Sequence, residues 1–261
     1  MSGTVRTDKD GALGFLIFDH PARRNAISAE MWRQIPGAVE ALAKDEDVRV
    51  VILRGEGDTA FVSGADISEF ESRRSGGSAV ADYERAGSDA YRAIAGLEKP
   101  TIAMIHGFCV GGGVAIALCA DLRFASDDAR FAVPAAKLGL GYTVALFEPL
   151  LRLVGSARAL EILYTARRYR ADEALEMGLV NGISPKPMLD SVVRETADRI
   201  AANAPLTLRA VKVTARELTK ESSRRDKARI DAAVAACYES EDYREGVRAF
   251  LEKRKPLFKG R

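Results

Sequence analysis

The sequence is poor in the residue types that would indicate a disulfide framework or a metal site. It has three cysteines, two histidines and one tryptophan in 261 residues. Cys109, Cys119 and Cys237 form no CxxC pair and no even set, so we expect reduced, buried thiols. No metal-ligand spacing joins these cysteines to His20 or His106, and we therefore predict no metal site.

Charge and hydropathy argue against two further classes of protein. The formal net charge is only +2, with both signs interspersed, which gives no basis for nucleic-acid binding. No apolar run approaches the roughly 18 residues that cross a bilayer. The N-terminal stretch MSGTVRTDKDG has no apolar core of the kind a signal peptide needs. We expect a cytoplasmic protein that binds neither nucleic acid nor membranes.

Strands and helices alternate in the first half of the chain. Val48–Leu53 is an almost continuous β-branched run, typical of a strand buried on both faces. Ser28 is placed to cap a helix whose apolar residues follow at helical spacing. From Val144 onward helical patterns dominate. We predict an α/β core over residues 1–200, wound by right-handed crossovers, and a helical C-terminal region over residues 201–261.

Two segments of small residues lie at predicted strand-to-helix junctions. They are Phe61–Ile67 (FVSGADI) and Gly107–Ala117 (GFCVGGGVAIA). Small side chains let a ligand approach the main chain, and a helix N-terminus offers unpaired N–H groups and a dipole that favours negative charge. Two such N–H groups aimed at one point would form an oxyanion hole for a carbonyl oxygen. Taken singly, each segment is more often a turn or a place of tight helix packing.

The two segments belong to a longer series of motifs that runs from about residue 10 to the C-terminus. The series comprises NAI at 25–27, VRVVILRG at 48–55, SGADI at 63–67, KPTIA at 99–103, the glycines at 111–113, ADLR at 120–123, ALEMGLV at 174–180 and FLEKRKP at 250–256. In this order and at this spacing it resembles the enoyl-CoA hydratase/isomerase (crotonase) superfamily. The resemblance implies an α/β fold of stacked ββα units in a spiral, with a helical C-terminal trimerisation region, and an acyl-CoA substrate.

The resemblance also implies roles for individual residues. Ala65 and Gly112 would supply the backbone N–H groups that hold the thioester oxygen. The coenzyme A part of the substrate would be bound by Arg23, Ala26, Ser63, Ala65, Asp66, Ile67, Phe250 and Lys253. Basic side chains suit the phosphates of coenzyme A, although Lys253 is equally typical of a solvated basic tail. The resemblance implies a homo-oligomer, a trimer or a dimer of trimers, and no cofactor besides the substrate's coenzyme A.

The sequence departs from the family pattern at both positions where hydratases carry a catalytic glutamate. In those enzymes the two carboxylates hold and activate water and deliver the proton at the α-carbon, which is acid–base work. Here the first position is Ala115 and the second is Ala135. Because an alanine methyl group cannot transfer a proton, the usual hydration of an enoyl-CoA is not supported by these residues.

Few residues are placed to replace the missing carboxylates. Tyr142 falls where decarboxylases of the superfamily carry a tyrosine near the acyl group, and Glu148 could act as a single acid or base. Each also has a structural interpretation. Tyr142 would be a wall residue whose hydroxyl bonds the backbone, and Glu148 a first-turn carboxylate favoured by the helix dipole. We expect Lys137 to be solvated.

Two reactive residue types next to the glycines are expected to be structural. His106 precedes Gly107 and could be a base, but its place at the end of a buried strand favours a residue that hydrogen-bonds the turn. Cys109 would be a nucleophile only with a base beside it and a lowered pKa, so we expect a small core residue.

The sequence therefore predicts an acyl-CoA enzyme of the crotonase superfamily in which Ala65 and Gly112 stabilise an enolate-like oxyanion. By resemblance it is an enoyl-CoA hydratase/isomerase, a lyase or isomerase of fatty acid metabolism. Its residues favour decarboxylation, or isomerisation with a lone base such as Glu148. A third alternative, from another class, is a catalytically inactive protein that binds acyl-CoA.

Overall fold

A computed structural model describes residues 3–66 and 77–261 of the chain. In chain order the strands are β1 (Thr4–Asp10), β2 (Leu13–Asp19), β3 (Val50–Gly55), β4 (Ala60–Val62), β5 (Thr101–Ile105), β6 (Phe108–Val110), β7 (Leu122–Ser126), β8 (Arg130–Ala132), β9 (Tyr169–Arg170) and β10 (Gly182–Ser184). The helices over the same residues are α1 (Ala29–Lys44), α2 (Gly77–Gly96), α3 (Gly112–Cys119), α4 (Val144–Thr165), α5 (Ala171–Glu176), α6 (Leu189–Ala201), α7 (Pro205–Leu218), α8 (Lys227–Glu239) and α9 (Glu241–Leu251).

The strands form two sheets. The larger sheet has the order β1-β2-β3-β5-β7-β10 and is parallel except for the antiparallel β1–β2 pair. The smaller sheet has the order β4-β6-β8-β9 and is parallel except at β8–β9. Three pairs of strands, β3–β4, β5–β6 and β7–β8, pass from the larger sheet to the smaller, and α2, α3 and α4 follow them along the chain. These repeats are the stacked ββα units that the sequence predicts.

The larger sheet is buried on both faces because its central strands carry apolar residues without interruption. In β3, Val50 and Ile52 belong to one cluster, together with Val193 of α6. Val51 and Leu53 belong to the main core on the opposite face, together with residues of α1 and of the smaller sheet. The alternation of side chains along a strand therefore divides the interior into two apolar layers.

Helix α1 begins where the sequence predicts. The Oγ of Ser28 accepts a hydrogen bond from the N–H of Met31 at 3.2 Å, and the apolar stripe that follows is buried. The next strand, β3, begins at Val50, two residues later than predicted. The N–H of Val48 donates instead to the carbonyl of Asp45 at 3.1 Å, in the turn that follows α1.

The C-terminal helices leave apolar side chains exposed. In α8, the side chains of Val234 and Tyr238 are 40% and 64% exposed. In α9, those of Val247 and Phe250 are 47% and 85% exposed. These side chains do not pack on the core of their own chain. The subunit interface and the division of the chain near residue 200 both stay predictions. Within the described residues, no helix combines the length and the apolar character that crossing a membrane requires.

Candidate active site

The two small-residue segments meet at one edge of the smaller sheet. They continue from β4 and β6, which pair in parallel with Ala60 opposite Phe108. A Cβ placed on Gly64 would lie 3.3 Å from the carbonyl oxygen of Val110, and one placed on Gly111 would lie 4.0 Å from the Cα of Gly64. The main chains after β4 and β6 are therefore in close contact, as the prediction of a shared site requires.

The glycines of the turn are required by space and by backbone conformation. Gly111 caps α3 with φ of 53° and ψ of −111°, a conformation that favours glycine. A Cβ on Gly113 would lie only 2.1 Å from the carbonyl oxygen of Val62, so no side chain fits there. Gly112 is the first residue of α3, and a Cβ there would meet its neighbours at 3.4 Å or more.

Two backbone N–H groups at this edge are available to a ligand. Ile27 pairs with the segment after β4 by donating to the carbonyl of Gly64 at 2.8 Å and accepting from Asp66 at 3.0 Å. The N–H of Ala65, between those two bonds, has no acceptor among the described residues. The N–H of Gly112 lies in the first turn of α3, where helical N–H groups have no partner in their own helix.

The structure brings together most of the residues predicted to bind coenzyme A. The N–H of Ser63 donates to the carbonyl of Arg24, and its Oγ donates to the carbonyl of Arg23, each at 3.1 Å. Ala26 is buried beside Ile27, and the side chain of Arg23 is exposed. Ala65 and Asp66 follow in the same segment. Of the other three, Ile67 lies outside the described residues, and Phe250 and Lys253 belong to the C-terminal region.

Asn25 explains why the NAI motif is next to the site. Its backbone is left-handed, with φ of 56°. Its side-chain oxygen accepts from the N–H of His20 at 3.0 Å, and its Nδ2 donates to the carbonyls of Glu56 and Ala60 at 3.0 and 2.8 Å. One buried amide thus ties the chain before α1 to the start of β4, and so positions Ser63 and Ala65.

Tyr142 has a buried hydroxyl without a hydrogen-bond partner among the described residues. The bond to the backbone that its structural interpretation assumed is therefore wrong. Burial raises the pKa of Tyr142 to about 12. The hydroxyl thus keeps its proton and can donate it to a ligand that enters the site.

Tyr91 of α2 is a second phenol near the turn, and the sequence reasoning missed it. Its Oη lies 3.6 Å from the position of a Cβ on Gly112. Its ring packs edge-on against Trp32, with the ring centres 5.2 Å apart. Burial, with smaller contributions from Cys119 and Tyr142, raises the pKa of Tyr91 well above its usual value. Both phenols are therefore neutral at physiological pH.

The two positions at which hydratases of the family carry glutamate hold alanine in this chain. Ala115 is buried within α3, and Ala135 lies in a short 3-10 helix, Pro134–Leu138. The Sγ of Cys119 donates to the carbonyl of Ala115 at 3.3 Å, and burial raises the pKa of Cys119 to about 12. The thiol of Cys119 therefore keeps its proton, as the phenols of Tyr91 and Tyr142 do.

Comparison with known proteins agrees with this geometry. The sequence profile described as enoyl-CoA hydratase/isomerase matches residues 8–261. The chain belongs to the enoyl-CoA hydratase/isomerase family. It is 36% identical over 251 residues to the crotonyl-CoA hydratase of Syntrophomonas wolfei, with 96% of each chain covered. It is 32% identical over 268 residues to the peroxisomal Delta(3,5)-Delta(2,4)-dienoyl-CoA isomerase of Arabidopsis thaliana, with 97% of this chain and 95% of the relative covered.

A solved structure supports the same assignment of fold. The crystal structure of an enoyl-CoA hydratase/carnithine racemase from Magnetospirillum magneticum superposes with a TM-score of 0.92 at 35% identity. The alignment covers 100% of this chain and 97% of that one. The predicted crotonase superfamily and its α/β fold are confirmed.

Among the described residues, no hydrogen bond or ion pair joins Glu148 to Ala65, Gly112 or Tyr142. Helix α4 begins at Val144, so Glu148 lies in its second turn, and its interpretation as a first-turn carboxylate is wrong. Its carboxylate forms an ion pair with Arg152 at 2.7 Å, and its side chain is 50% exposed. Lys137 is exposed, as expected.

His106 and Cys109 are both buried, with different outcomes for their predictions. The Nδ1 of His106 has no partner among the described residues, so the expected side-chain bond to the turn is wrong; its backbone carbonyl accepts from Phe61 at 2.8 Å. Burial, with Arg54 nearby, lowers the pKa of His106 and keeps the ring neutral at pH 7. Cys109 is a fully buried core residue, as expected, and burial raises its pKa far above the usual range.

Within one chain, Phe250 and Lys253 do not contact the turn through the described residues. Phe250 lies near the end of α9 and is 85% exposed, and Lys253 follows it and is exposed. Within residues 3–66 and 77–261, no hydrogen bond, ion pair or ring contact joins either residue to Ser63, Ala65 or Gly112. Their contact with coenzyme A stays a prediction, and the exposed position of both residues leaves them free to meet a neighbouring copy of the chain.

Proposed function

We propose that this family member binds an acyl-CoA thioester whose carbonyl oxygen accepts hydrogen bonds from the N–H groups of Ala65 and Gly112. Both groups lie on segments in close main-chain contact and lack partners among the described residues. Donors fixed in this way stabilise the negative charge that develops on the oxygen as an enolate forms. They need no side chain, which fits a turn made of glycine and alanine.

The proposed reaction is the decarboxylation of a carboxylated acyl-CoA. The observation that carries it is the unpaired, buried hydroxyl of Tyr142 in a site without the family's carboxylates. A phenol that holds its proton at pH 7 can protonate an enolate carbon, whereas it cannot remove a proton from a neutral substrate. The enolate must then be generated by breaking a bond other than C–H.

Loss of CO2 meets this requirement. The electron pair of the bond between the α-carbon and the carboxylate passes into the thioester, where the N–H groups of Ala65 and Gly112 stabilise the oxyanion. Tyr142 then donates its proton to the α-carbon, and solvent restores the phenol. Isomerisation by a lone base is less well supported, because Glu148 is half exposed and paired with Arg152.

The test is a comparison of substrates on the purified protein. We expect turnover of malonyl-type acyl-CoAs, and hydration of crotonyl-CoA about 10²–10⁴-fold slower than in a relative with both glutamates. Rapid hydration of crotonyl-CoA would overturn the proposal. Tight binding of acyl-CoAs without turnover of any malonyl-type, enoyl or aromatic substrate would instead identify an inactive binding protein.

A matched pair of variants tests the role of the Gly112 N–H. Gly112→Pro removes the N–H at the first helical position, where proline is best tolerated. Gly112→Ala keeps the N–H, and its added methyl group has ordinary contacts with Trp32 and Tyr91. We expect activity to fall about 10²-fold or more in the proline variant and to persist in the alanine variant. Equal activity of the two variants would exclude the oxyanion role.

We also propose that the protein acts in the cytoplasm as a homotrimer or a dimer of trimers. The exposed apolar side chains of α8 and α9, among them Tyr238 and Phe250, support an interface between copies. Sedimentation would test the oligomeric state, and a monomer at micromolar concentration would contradict it.

A further inference from the structure

We propose that the hydroxyl of Tyr91 is a third hydrogen-bond donor of the oxyanion hole. The inference rests on the proposed use of the Gly112 N–H and goes beyond it, because it assigns a side chain to a hole otherwise made of backbone alone. Three features of the structure carry it: the place of the hydroxyl, its lack of a partner and the rigidity of its ring.

The place of the hydroxyl follows from the geometry of α3. In a helix each Cα–Cβ bond points toward the N-terminus, the end from which the first N–H groups also emerge. A Cβ on Gly112 would lie 3.6 Å from the Oη of Tyr91. The hydroxyl therefore lies beside Gly112, at the end of α3 where the N–H of that residue is offered.

The hydroxyl of Tyr91 makes no hydrogen bond to the described residues, in contrast to the phenol that precedes it in α2. There the Oη of Tyr83 accepts from the Nε1–H of Trp32 at 3.0 Å. Since Tyr83 and Tyr91 lie eight residues apart, they project from a similar side of the helix. The hydroxyl of Tyr83 thus accepts from Trp32, while the hydroxyl of Tyr91 can donate to a ligand.

The ring of Tyr91 is held in place by apolar packing. It lies edge-on against Trp32, which is only 2% exposed and belongs to the main core. A Cβ on Gly112 would lie 3.4 Å from the same indole. Trp32 therefore contacts both the helix end and Tyr91, and fixes one relative to the other. Fixed donors stabilise a developing charge better than mobile ones, because they need no reorganisation when the charge appears.

The inference assigns different tasks to the two unpaired phenols. Tyr91, beside Gly112, donates to the thioester oxygen and keeps its proton throughout. Tyr142 donates its proton to carbon in the proposed reaction. High proton affinity suits Tyr91 in particular, since burial keeps its pKa well above the usual value and the hydroxyl stays a donor at every working pH.

The experiment is infrared difference spectroscopy of a bound acyl-CoA that carries 13C at the thioester carbonyl. A carbonyl that accepts hydrogen bonds absorbs at lower frequency. We expect a shift to lower frequency on binding to the wild-type protein, and a smaller shift on binding to Tyr91→Phe. Tyr164→Phe is the control, because that phenol is 76% exposed, and its shift should equal that of the wild type.

Binding and folding are checked separately. Phenylalanine keeps the ring that packs on Trp32 and removes a hydroxyl without a partner among the described residues, so Tyr91→Phe should fold with a Tm at or slightly above that of the wild type. Trp32 is the single tryptophan of the chain, and we would follow its fluorescence to measure acyl-CoA binding without turnover. On substrates that the wild type converts, we expect kcat to fall about 10- to 100-fold in Tyr91→Phe, with KM little changed.

The outcomes separate this inference from the proposed function. A carbonyl shift that is lost in Gly112→Pro but unchanged in Tyr91→Phe would overturn the inference and leave the backbone hole intact. A shift unchanged in both variants would overturn the inference and the oxyanion role of Gly112 together. A reduced shift in both variants would support both.

Discussion

The two ends of strand β5 differ in how their polar groups are satisfied. At its N-terminal end, Thr101 donates from its N–H and its Oγ1 to the carboxylate of Asp121 at 2.8 and 2.9 Å. Lys212 of α7 donates to the same carboxylate at 2.6 Å and to the carbonyl of Lys99 at 2.7 Å. At its C-terminal end the chain enters the turn with the Nδ1 of His106 unpaired within the part of the chain that the structure describes.

This difference separates an end of β5 that stabilises the fold from an end that could bind a ligand. We call the N-terminal end, held by Thr101, Asp121 and Lys212, the fastened end. A buried polar group without a partner costs free energy, about 1–3 kcal/mol for a neutral donor. The fastened end of β5 avoids this cost because Thr101 and Lys212 both donate hydrogen bonds to the carboxylate of Asp121. At the other end, the N–H of Gly112 and the hydroxyl of Tyr142, which is close enough to Tyr91 to affect its pKa, have no partners among the described residues, and a substrate can supply them. Three predictions test the contrast.

The largest effect is expected at the fastened end. Asp121→Ala leaves Lys212 buried without its carboxylate and leaves Thr101 without an acceptor. Because the Asp121 carboxylate is itself 36% exposed, we expect the free energy of unfolding, measured with urea, to fall by about 2 kcal/mol, while kcat of the folded protein stays unchanged. Asp231→Ala, at an exposed position of α8, is the surface control and should change stability by less than about 0.5 kcal/mol. A stable but inactive Asp121→Ala protein would remove the distinction between the two ends.

An intermediate effect is expected in the pH dependence of stability. Burial lowers the pKa of Lys212 from its usual 10.5 to about 8, despite the pairing with Asp121. Between those values the unfolded chain holds a proton that the folded chain has released, so stability rises with pH. Lys212→Met should therefore lose a rise of about 1 kcal/mol per pH unit between pH 8 and 10.

The measurement for Lys212 is urea unfolding at several pH values. Lys227→Met, which removes an exposed lysine at the start of α8, is the control and should follow the wild-type curve. If the free energy of unfolding of Lys212→Met and of the wild type changes equally with pH, burial does not lower the pKa of Lys212.

The smallest effect, and one of opposite sign, is expected at the turn. Tyr142→Phe removes a buried hydroxyl that has no partner among the described residues, so stability should rise by about 1 kcal/mol while turnover falls. Tyr164→Phe is the control, because that phenol is 76% exposed and its loss should alter neither quantity. A loss of stability in Tyr142→Phe would show that the free protein already satisfies the hydroxyl.

Local features were predictable from the sequence because they depend on neighbours along the chain. The Ser28 cap, the apolar stripe of α1 and the bare turn at Gly111–Gly113 all follow from spacing and residue type. The order of ββα units and the meeting of the Ala65 and Gly112 segments followed from the resemblance to the family. Both features are encoded at the level of motifs.

Side-chain placement between elements was not predictable in the same way. Tyr91 is an ordinary apolar-face residue of α2 in the sequence, and only the packing of α2 against α1 and α3 brings its hydroxyl to Gly112. Glu148 appeared close to the helix start because the start of α4 was unknown to within a turn. His106 appeared bonded because nothing in the sequence reports an unpaired nitrogen. Each difference arises from contacts across the interior.

The contact between Gly113 and the carbonyl of Val62 has a consequence for redesign. Since no side chain fits at position 113, this part of the proposed thioester site is limited to glycine. Four other positions do carry side chains: Ala115 and Ala135, where hydratases of the family have glutamates, and the phenols Tyr91 and Tyr142. A library that fixes Gly113 and randomises those four positions would explore new reactions on one unchanged thioester anchor.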